Sequence, residues 1–370
     1  MKKILYIIDR ANFYGSERHV YDILNYMKNN SKFEIEFLCF FKGELYSKLE
    51  LEKKIKIYYF KLSWFEILFK IILLIKLILK IKPDILHCHQ PKALFIGTLL
   101  GKILKIKTII TLHTDIELIK YSNNNLVKKK IIYNFHNLID KFVKKYSDIS
   151  IYLTNFNLIE KNKKNIVIYN WVSQNFNFIM TNKKEWEPNK KIKILCISSI
   201  TPEKGYNDLI EFLSKCDQYL PIEVNIIGGG KQKYINKLLE EIKIKKIKFK
   251  INFWGYQREI GEFYENSDIF ILFSKSETFG LVYVEAMYYG LPIFSYELPV
   301  LKEILPNINF IDNDLVNQAL NLKKLISNKK LYKKISKINR MKVEKSFNYL
   351  TNIKKIEKIY LNIVNEGRNL

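Results

Sequence analysis

The chain reads as an α/β protein of two doubly wound, Rossmann-like domains facing across a cleft, and three observations predict it. Short apolar runs alternate with helix-period segments from end to end, the pattern of parallel sheets. At 370 residues the chain exceeds what one hydrophobic core ordinarily organises. A polar stretch from Gln174 to Lys190, containing TNKKEWEPNKK, interrupts the alternation near the middle and reads as a linker.

The elements follow in order. ILYIID is a strand, followed by a helix from about Gly15 to Asn29, then FEIEFLCFF, KIKIYYF, a helix from Trp64 and the strand DILHCH. A helix through Leu94 to Leu104 leads to TIITLHT, and a long helical region near Leu126 to Tyr146 precedes DISIYLT and NIVIYNW. The second series runs from KIKILCISS to about PIFSY, after which the chain is helical and rich in Lys. The expected domains are therefore 1–175 and 176–347, with a terminal helix over about 348–370.

Bulk properties exclude several classes. An apolar fraction of 48% with 27% charged residues is globular. The net charge of +25 invites a nucleic-acid reading, but the basic residues are almost all Lys, with Arg only at positions 10, 18, 258, 340 and 368. No basic stretch is interleaved with stacking aromatics or a zinc-knuckle spacing, so no nucleic-acid partner is expected. Cys39, Cys88, Cys196 and Cys216 are widely spaced, fall mostly within apolar strands and read as buried free thiols of a reducing compartment. In MKKILYIIDR, Asp9 and Arg10 cut the apolar run below a signal-peptide core, and a cytoplasmic location follows. The apolar stretch from Trp64 to Ile81 carries Glu66, Lys70, Lys76 and Lys80, so it does not read as a spanning helix.

Ser274 to Pro292, SKSETFGLVYVEAMYYGLP, carries the chemistry. DIFILFS before it is a buried strand, and FGLVYVEAMYYG is a helix ended by Gly290 with Pro292 soon after. Glu277 then lies in the strand-to-helix turn and Glu285 about two turns into the helix. The N–H groups near Thr278, Phe279, Gly280 and Leu281, with the helix dipole, suit a phosphate. One carboxylate can hold sugar hydroxyls and the other a ribose; in isolation the pair would be only a solvated face. In doubly wound domains ligands gather at the carboxyl ends of the strands. Gly15 and Ser16 follow the first strand, His113 closes TIITLHT, Thr201 to Gly205 follow ILCISS, and Glu277 follows DIFILFS.

The segment E-T-F-G-L-V-Y-V-E-A-M-Y-Y-G-L-P resembles the donor-site motif of the family 4 retaining glycosyltransferases, which are GT-B enzymes. The resemblance extends over most of the chain, through ILYIIDRANFYGSERHVYDIL, DILHCHQPKALFIGTLLGKILKIKTIITLHT, ILCISSITPEKGYNDLIE, VNIIGGGKQ and INFWGYQREIGEFYENSDIFILFS. It implies an N-terminal acceptor domain, a C-terminal donor domain and a final helix that packs back on the first domain. Lys204, in TPEKGYNDL, reads as lying at the start of a helix beside Gly205, and the resemblance implies that it grips the donor diphosphate and stabilises the leaving charge. Where the family usually has Gly-Arg ahead of this loop, the chain has Ser198 and Ser199, so a second phosphate cation is missing. By the same resemblance His113 orients the donor sugar or acceptor, Gly228 to Gly230 line the nucleotide, and Tyr256 borders the base. Gly15 with Ser16 stands where the family often has Gly-Gly, which still allows close backbone approach.

His87 and His89 share one face of a strand and superficially suggest a metal pair with Cys88, but Cys88 points to the other face. Asp312 and Asp314 form the chain's D-x-D, and Asp314 reads as a helix N-cap. Neither metal nor cofactor is expected. For the Trp64 to Lys80 helix, the polar residues project onto an arc of about 120° at 100° per residue. A buried crossover helix is the favoured reading. The alternative is a surface helix dipping into an anionic membrane to reach a lipid-linked acceptor, with Lys128 to Lys130, Lys144 and Lys145 adding charge.

The reading is thus a retaining, metal-independent glycosyltransferase. It moves a sugar from a nucleotide-diphosphate sugar to a hydroxyl of a glycan or lipid-linked glycan, in polysaccharide or glycoconjugate synthesis, in the cytoplasm or peripheral to the membrane. Glu277 holds sugar hydroxyls and Glu285 the ribose. The alternatives are a catalytically impaired homologue acting as a membrane-surface or complex partner, motivated by Ser199, and a nucleotide-sugar epimerase.

Overall fold

The computed structural model describes residues 1–29, 32–113, 126–158, 164–173, 191–218 and 220–366. The chain divides into two compact units, Met1–Ser173 with Tyr349–Leu370, and Gln174–Asn348. The expected linker, Gln174 to Lys190, lies outside the described residues.

In the first unit the strands are β1 (Lys2–Arg10), β2 (Phe33–Phe41), β3 (Lys56–Tyr59), β4 (Ile85–His89), β5 (Lys107–Leu112), β6 (Ile149–Tyr152) and β7 (Asn165–Val167). They pair in the order β3-β2-β1-β4-β5-β6-β7, all parallel. The helices are α1 (Gly15–Met27), α2 (Glu44–Glu52), α3 (Ile67–Ile81), α4 (Pro91–Leu104) and α5 (Leu126–Tyr146). A parallel sheet is covered on both faces, which is why the centre of β1 reads as an unbroken apolar run and every residue of β4 is buried. One face of the first sheet packs Leu5, Ile7, Leu86 and Cys88 against α4; the other packs Ile4, Tyr6 and Ile8.

In the second unit β8 (Ile192–Ile197), β9 (Ile222–Ile227), β10 (Lys250–Phe253), β11 (Ile269–Leu272), β12 (Ile293–Ser295) and β13 (Phe310–Ile311) form a parallel sheet. Its order is β10-β9-β8-β11-β12-β13. Its helices are α6 (Tyr206–Lys215), α7 (Gln232–Ile244), α8 (Gly261–Glu265), α9 (Leu281–Tyr288), α10 (Pro299–Ile304), α11 (Leu315–Ile326) and α12 (Lys329–Ser346). The last helix, α13 (Tyr349–Glu366), belongs to the first unit. Its Ile353, Ile356 and Tyr360 are fully buried in the core that holds Ile4, Tyr6 and Ile8. Each such side chain contributes ~1.5–3 kcal/mol.

Three expectations are corrected. The 274–292 helix starts at Leu281, because Gly280 takes the left-handed conformation (φ 82°) and breaks the run, so Glu285 lies about one turn in. Lys204 does not open an α-helix: it ends a single 3-10 turn, Pro202–Lys204, and Gly205 (φ 71°) redirects the chain into α6. The Trp64 helix begins at Ile67 and is not a buried crossover. Only Leu74, Ile78 and Ile81 are buried in it, while Phe65, Leu68, Phe69, Ile72, Leu73 and Leu79 are exposed. The side chains of Lys128 to Lys130 lie outside the described residues.

The short acidic motif behaves as a cap. Asp314 accepts from the amides of Val316 at 2.7 Å and Asn317 at 3.4 Å at the start of α11. Cys39, Cys88, Cys196 and Cys216 are all free and buried.

Candidate active site

At the carboxyl end of the second sheet, three loops are pressed together backbone to backbone. A Cβ on Gly205 would lie 1.9 Å from the carbonyl oxygen of Phe273, just after β11. A Cβ on Gly228, after β9, would lie 1.7 Å from the carbonyl oxygen of Ser198, after β8. Both positions have positive φ, so glycine is required sterically and conformationally. The amide of Lys275 donates to the carbonyl of Glu203 at 2.9 Å and clips the β8 and β11 loops together.

That clip brings Lys204 onto Glu277. Lys204 Nζ donates to Glu277 Oε1 at 2.7 Å, the lysine side chain being 26% and the carboxylate 9% exposed. The residues assigned separately to phosphate and sugar are therefore partners. Next to them α9 points its N-terminal amides out of the turn, led by Leu281, with Thr278 and the buried Phe279 ahead of Gly280. The Phe279 ring packs edge-on against Phe347, with centroids 5.7 Å apart, and fixes the turn.

Glu285 is buried, and its Oε2 accepts from the hydroxyl of Tyr264 at 2.8 Å. Tyr264 stacks on Tyr289 at 5.5 Å. Ser199 is exposed, and Ser198 shares a 2.8 Å hydrogen bond with the Tyr206 hydroxyl, so a neutral pair stands where the family carries a cation. Lys275, two residues before Glu277, is 3.2 Å from Asp208. Tyr256 is 56% exposed and runs beside Gly229.

The first unit carries a different constellation. Gly15 and Ser16 open α1, and Ser16 Oγ donates to Glu17 Oε2 at 2.9 Å. Glu17 is buried, which pushes its carboxyl up, although bonds from Ser16 and Gln90 offset part of that. Gln90 adopts φ 71°, rare for a side-chain-bearing residue, and its amide ties Glu17 Oε1 at 2.9 Å while its Oε1 accepts the Arg10 amide at 2.8 Å.

His113, one residue past β5, is joined by three more histidines. Its Nε2 lies 2.9 Å from His89 Nδ1, and its ring centroid is 5.0 Å from that of His19. His87, 4.4 Å from His89 between centroids, bonds Thr111 Oγ1 at 2.8 Å and the Tyr360 hydroxyl at 2.6 Å. Burial holds His19 down at about 4 and His87 at about 3, and burial with neighbouring imidazoles holds His89 and His113 well below the usual range. All four are neutral at pH 7. Asn170 Oδ1 accepts the Trp171 amide at 3.1 Å, so His19 Nδ1 is the donor in its 2.8 Å bond to the same oxygen. Between His89 and His113, donation from His113 would strand a buried N–H at His89 Nε2, which has no hydrogen-bond partner. Donation from His89 leaves only a bare lone pair there, at lower cost, and puts the His113 proton on Nδ1. Among the described residues no three His, Cys, Asp or Glu side chains gather where they could hold an ion.

His19, Glu17, Gln90, Tyr360 and Tyr264 were not anticipated. Topology alone brings His19 to His113, Gln90 to Glu17 and Tyr360 to His87, and Tyr264 is unmarked in a chain with 24 tyrosines. The H-x-H spacing of His87 and His89 was the available signal for the cluster.

Two parallel Rossmann-like sheets, with a lysine, a carboxylate pair and a helix N-terminus at the carboxyl end of the second, define a glycosyltransferase of GT-B type. The family described as Glycosyltransferase Family 4 matches residues 13–173, and that described as Glycosyl transferases group 1 matches residues 179–342. The chain belongs to the family 4 glycosyltransferases. It is 26% identical over 309 residues to an N-acetyl-alpha-D-glucosaminyl L-malate synthase of Bacillus anthracis, covering 77% of this chain and 76% of the relative. An alpha-monoglucosyldiacylglycerol synthase of Acholeplasma laidlawii is 27% identical over 238 residues, 58% of each chain. Among solved structures, Anabaena Alr3699/HepE in complex with UDP and glucose superposes with a TM-score of 0.78 at 18% identity, covering 98% of this chain and all of that one.

Proposed function

We propose that the chain transfers a sugar, with retention at the anomeric carbon and without a metal, from a nucleotide-diphosphate sugar to a hydroxyl of a glycan or lipid-linked glycan. The acceptor is used in polysaccharide or glycoconjugate synthesis at the cytoplasmic face of a membrane. The observation that carries the reading is the Lys204–Glu277 pair, 2.7 Å apart beside the N-terminus of α9. Lys204 and the α9 amides take the diphosphate, Glu277 takes sugar hydroxyls, and Glu285 takes the ribose alongside Tyr264. Gly228 and Tyr256 border the nucleotide, while His113 donates from Nδ1 to a sugar or acceptor oxygen.

The bond from the anomeric carbon to the diphosphate oxygen breaks, and the acceptor oxygen bonds to the same face. The acceptor proton passes to the departing phosphate oxygen, so no protein base is needed, and Lys204 stabilises the charge that develops there. A UDP complex of the similar Anabaena protein and the glycolipid name of the Acholeplasma relative support the donor and acceptor classes.

Thermal melts with UDP, GDP and ADP should show one of them raising the midpoint, since a ligand of the folded state alone stabilises it. With the matching donor sugar, NMR of the product should show the donor's anomeric configuration, and EDTA should leave turnover intact. No shift with any of the three, or an inverted product, would refute the reading.

A further inference from the structure

We infer that the outward face of α3, continued by α5, is a docking surface for an anionic lipid bilayer. This extends the membrane-linked acceptor of the proposed function by assigning the residues that meet the lipid. Phe65 is 90% exposed, Leu68 and Phe69 are 83%, and Ile72 is 62%. Leu73 and Leu79 are exposed too, and on α5 so are Phe135 and Leu138. Trp64 bridges the two helices, its ring 5.1 Å from that of Phe135, so the patch is continuous. An exposed apolar surface of this extent marks an interaction site.

Charge selects the occupant. Lys76 and Lys80 are exposed, and in helical projection they fall among Phe69, Leu73 and Ile72, where long stems can lie along the apolar surface and reach phosphate headgroups. The acidic residue beside α3, Glu66, is already tied to Lys70. Asp140 on α5 is likewise tied to Lys144, at 2.6 Å. A second copy of the chain would set these lysines against a patch whose described carboxylates, Glu66 and Asp140, are already tied, whereas anionic lipid answers both the lysines and the net charge of +25. At 15 residues α3 is shorter than a bilayer span, and no described helix is long and apolar enough to cross a membrane. It therefore lies in the interface plane with its aromatic end inserted.

The test is co-sedimentation of the full chain with vesicles of phosphatidylcholine alone or with phosphatidylglycerol. Wild type should pellet with the anionic vesicles, and Leu68→Ser, Phe69→Ser and Ile72→Ser together should cut partitioning about tenfold or more. Lys76→Glu with Lys80→Glu should abolish the preference for anionic lipid. The triple variant should keep the wild-type melting midpoint and the midpoint rise with the nucleoside diphosphate that wild type recognises, so loss of lipid binding is read separately from the donor site. Equal partitioning of wild type and triple variant, or no preference for anionic over neutral lipid, would overturn the assignment. So would a wild-type dimer, seen by sedimentation velocity without vesicles, that the triple variant converts to monomer.

Discussion

The two sheets share a parallel, doubly wound topology, yet their carboxyl ends carry different chemistry. The second gathers a lysine and a carboxylate held 2.7 Å apart, whereas the first gathers four imidazoles kept neutral by burial. A charged pair on tightly clipped loops suits a ligand that brings its own charge and can exchange partners with it. Neutral imidazoles suit uncharged hydroxyls, which they can hold without attracting counter-ions. The same architecture thus supports two kinds of recognition, and the difference lies in which side chains the loops carry.

The comparison breaks most completely if the clip in the second unit is removed. Gly205→Ala places a methyl 1.9 Å from a backbone oxygen at positive φ. It should cost ~2–4 kcal/mol and abolish donor binding, read by chemical denaturation and calorimetry. A fully stable, active variant would show that the loops are not clipped as described.

Acid should discriminate between the two ends. His19 is held at about 4 against an ordinary 6.5, so the unfolded chain binds its proton first. Its neutral-state stability is fully present above about pH 6.5 and is lost as pH falls from there toward about 4, by ~3 kcal/mol for this residue. Hydrogen exchange at pH 5 should show β1 and β4 losing protection before β8 and β11. Loss in the reverse order would contradict the neutral cluster.

The tautomer sharpens the contrast further. His89→Asn keeps a donor near the Nδ1 position and should hold turnover within a few-fold. His89→Ala should lower kcat by about tenfold, the order of one lost hydrogen bond at ~1 kcal/mol or more. Nitrogen NMR should place the His113 proton on Nδ1 in wild type. If Asn and Ala behave alike, His89 only fills space. The smallest effect belongs to Asp314→Ala, which should cost ~1 kcal/mol through the lost cap with unchanged turnover.

Much of the second site was legible because its signals are local. The turn at Lys204 and Gly205, the glycine turn after β9 and the cap at Asp314 are each marked within a few residues, whereas the helix break at Gly280 and the close approach of Gly205 to Phe273 and of Gly228 to Ser198 were not. The Lys204–Glu277 bond was not legible: its partners lie 73 residues apart and meet only through the loop clip. The histidine cluster likewise depends on strand order, which places β4 between β1 and β5. The exposure of α3 was misread for the same reason. An apolar helix is buried only where something covers it, and composition does not say what does.

Calorimetry of the nucleoside diphosphate on wild type, Lys204→Ala and Glu277→Gln tests the central claim most directly. If the pair is the donor site, Lys204→Ala should weaken binding by about 10- to 100-fold, equivalent to ~1.5–3 kcal/mol. Glu277→Gln should bind the bare diphosphate at least as well as wild type while losing affinity for the intact sugar donor. Unchanged affinity in Lys204→Ala would contradict the account.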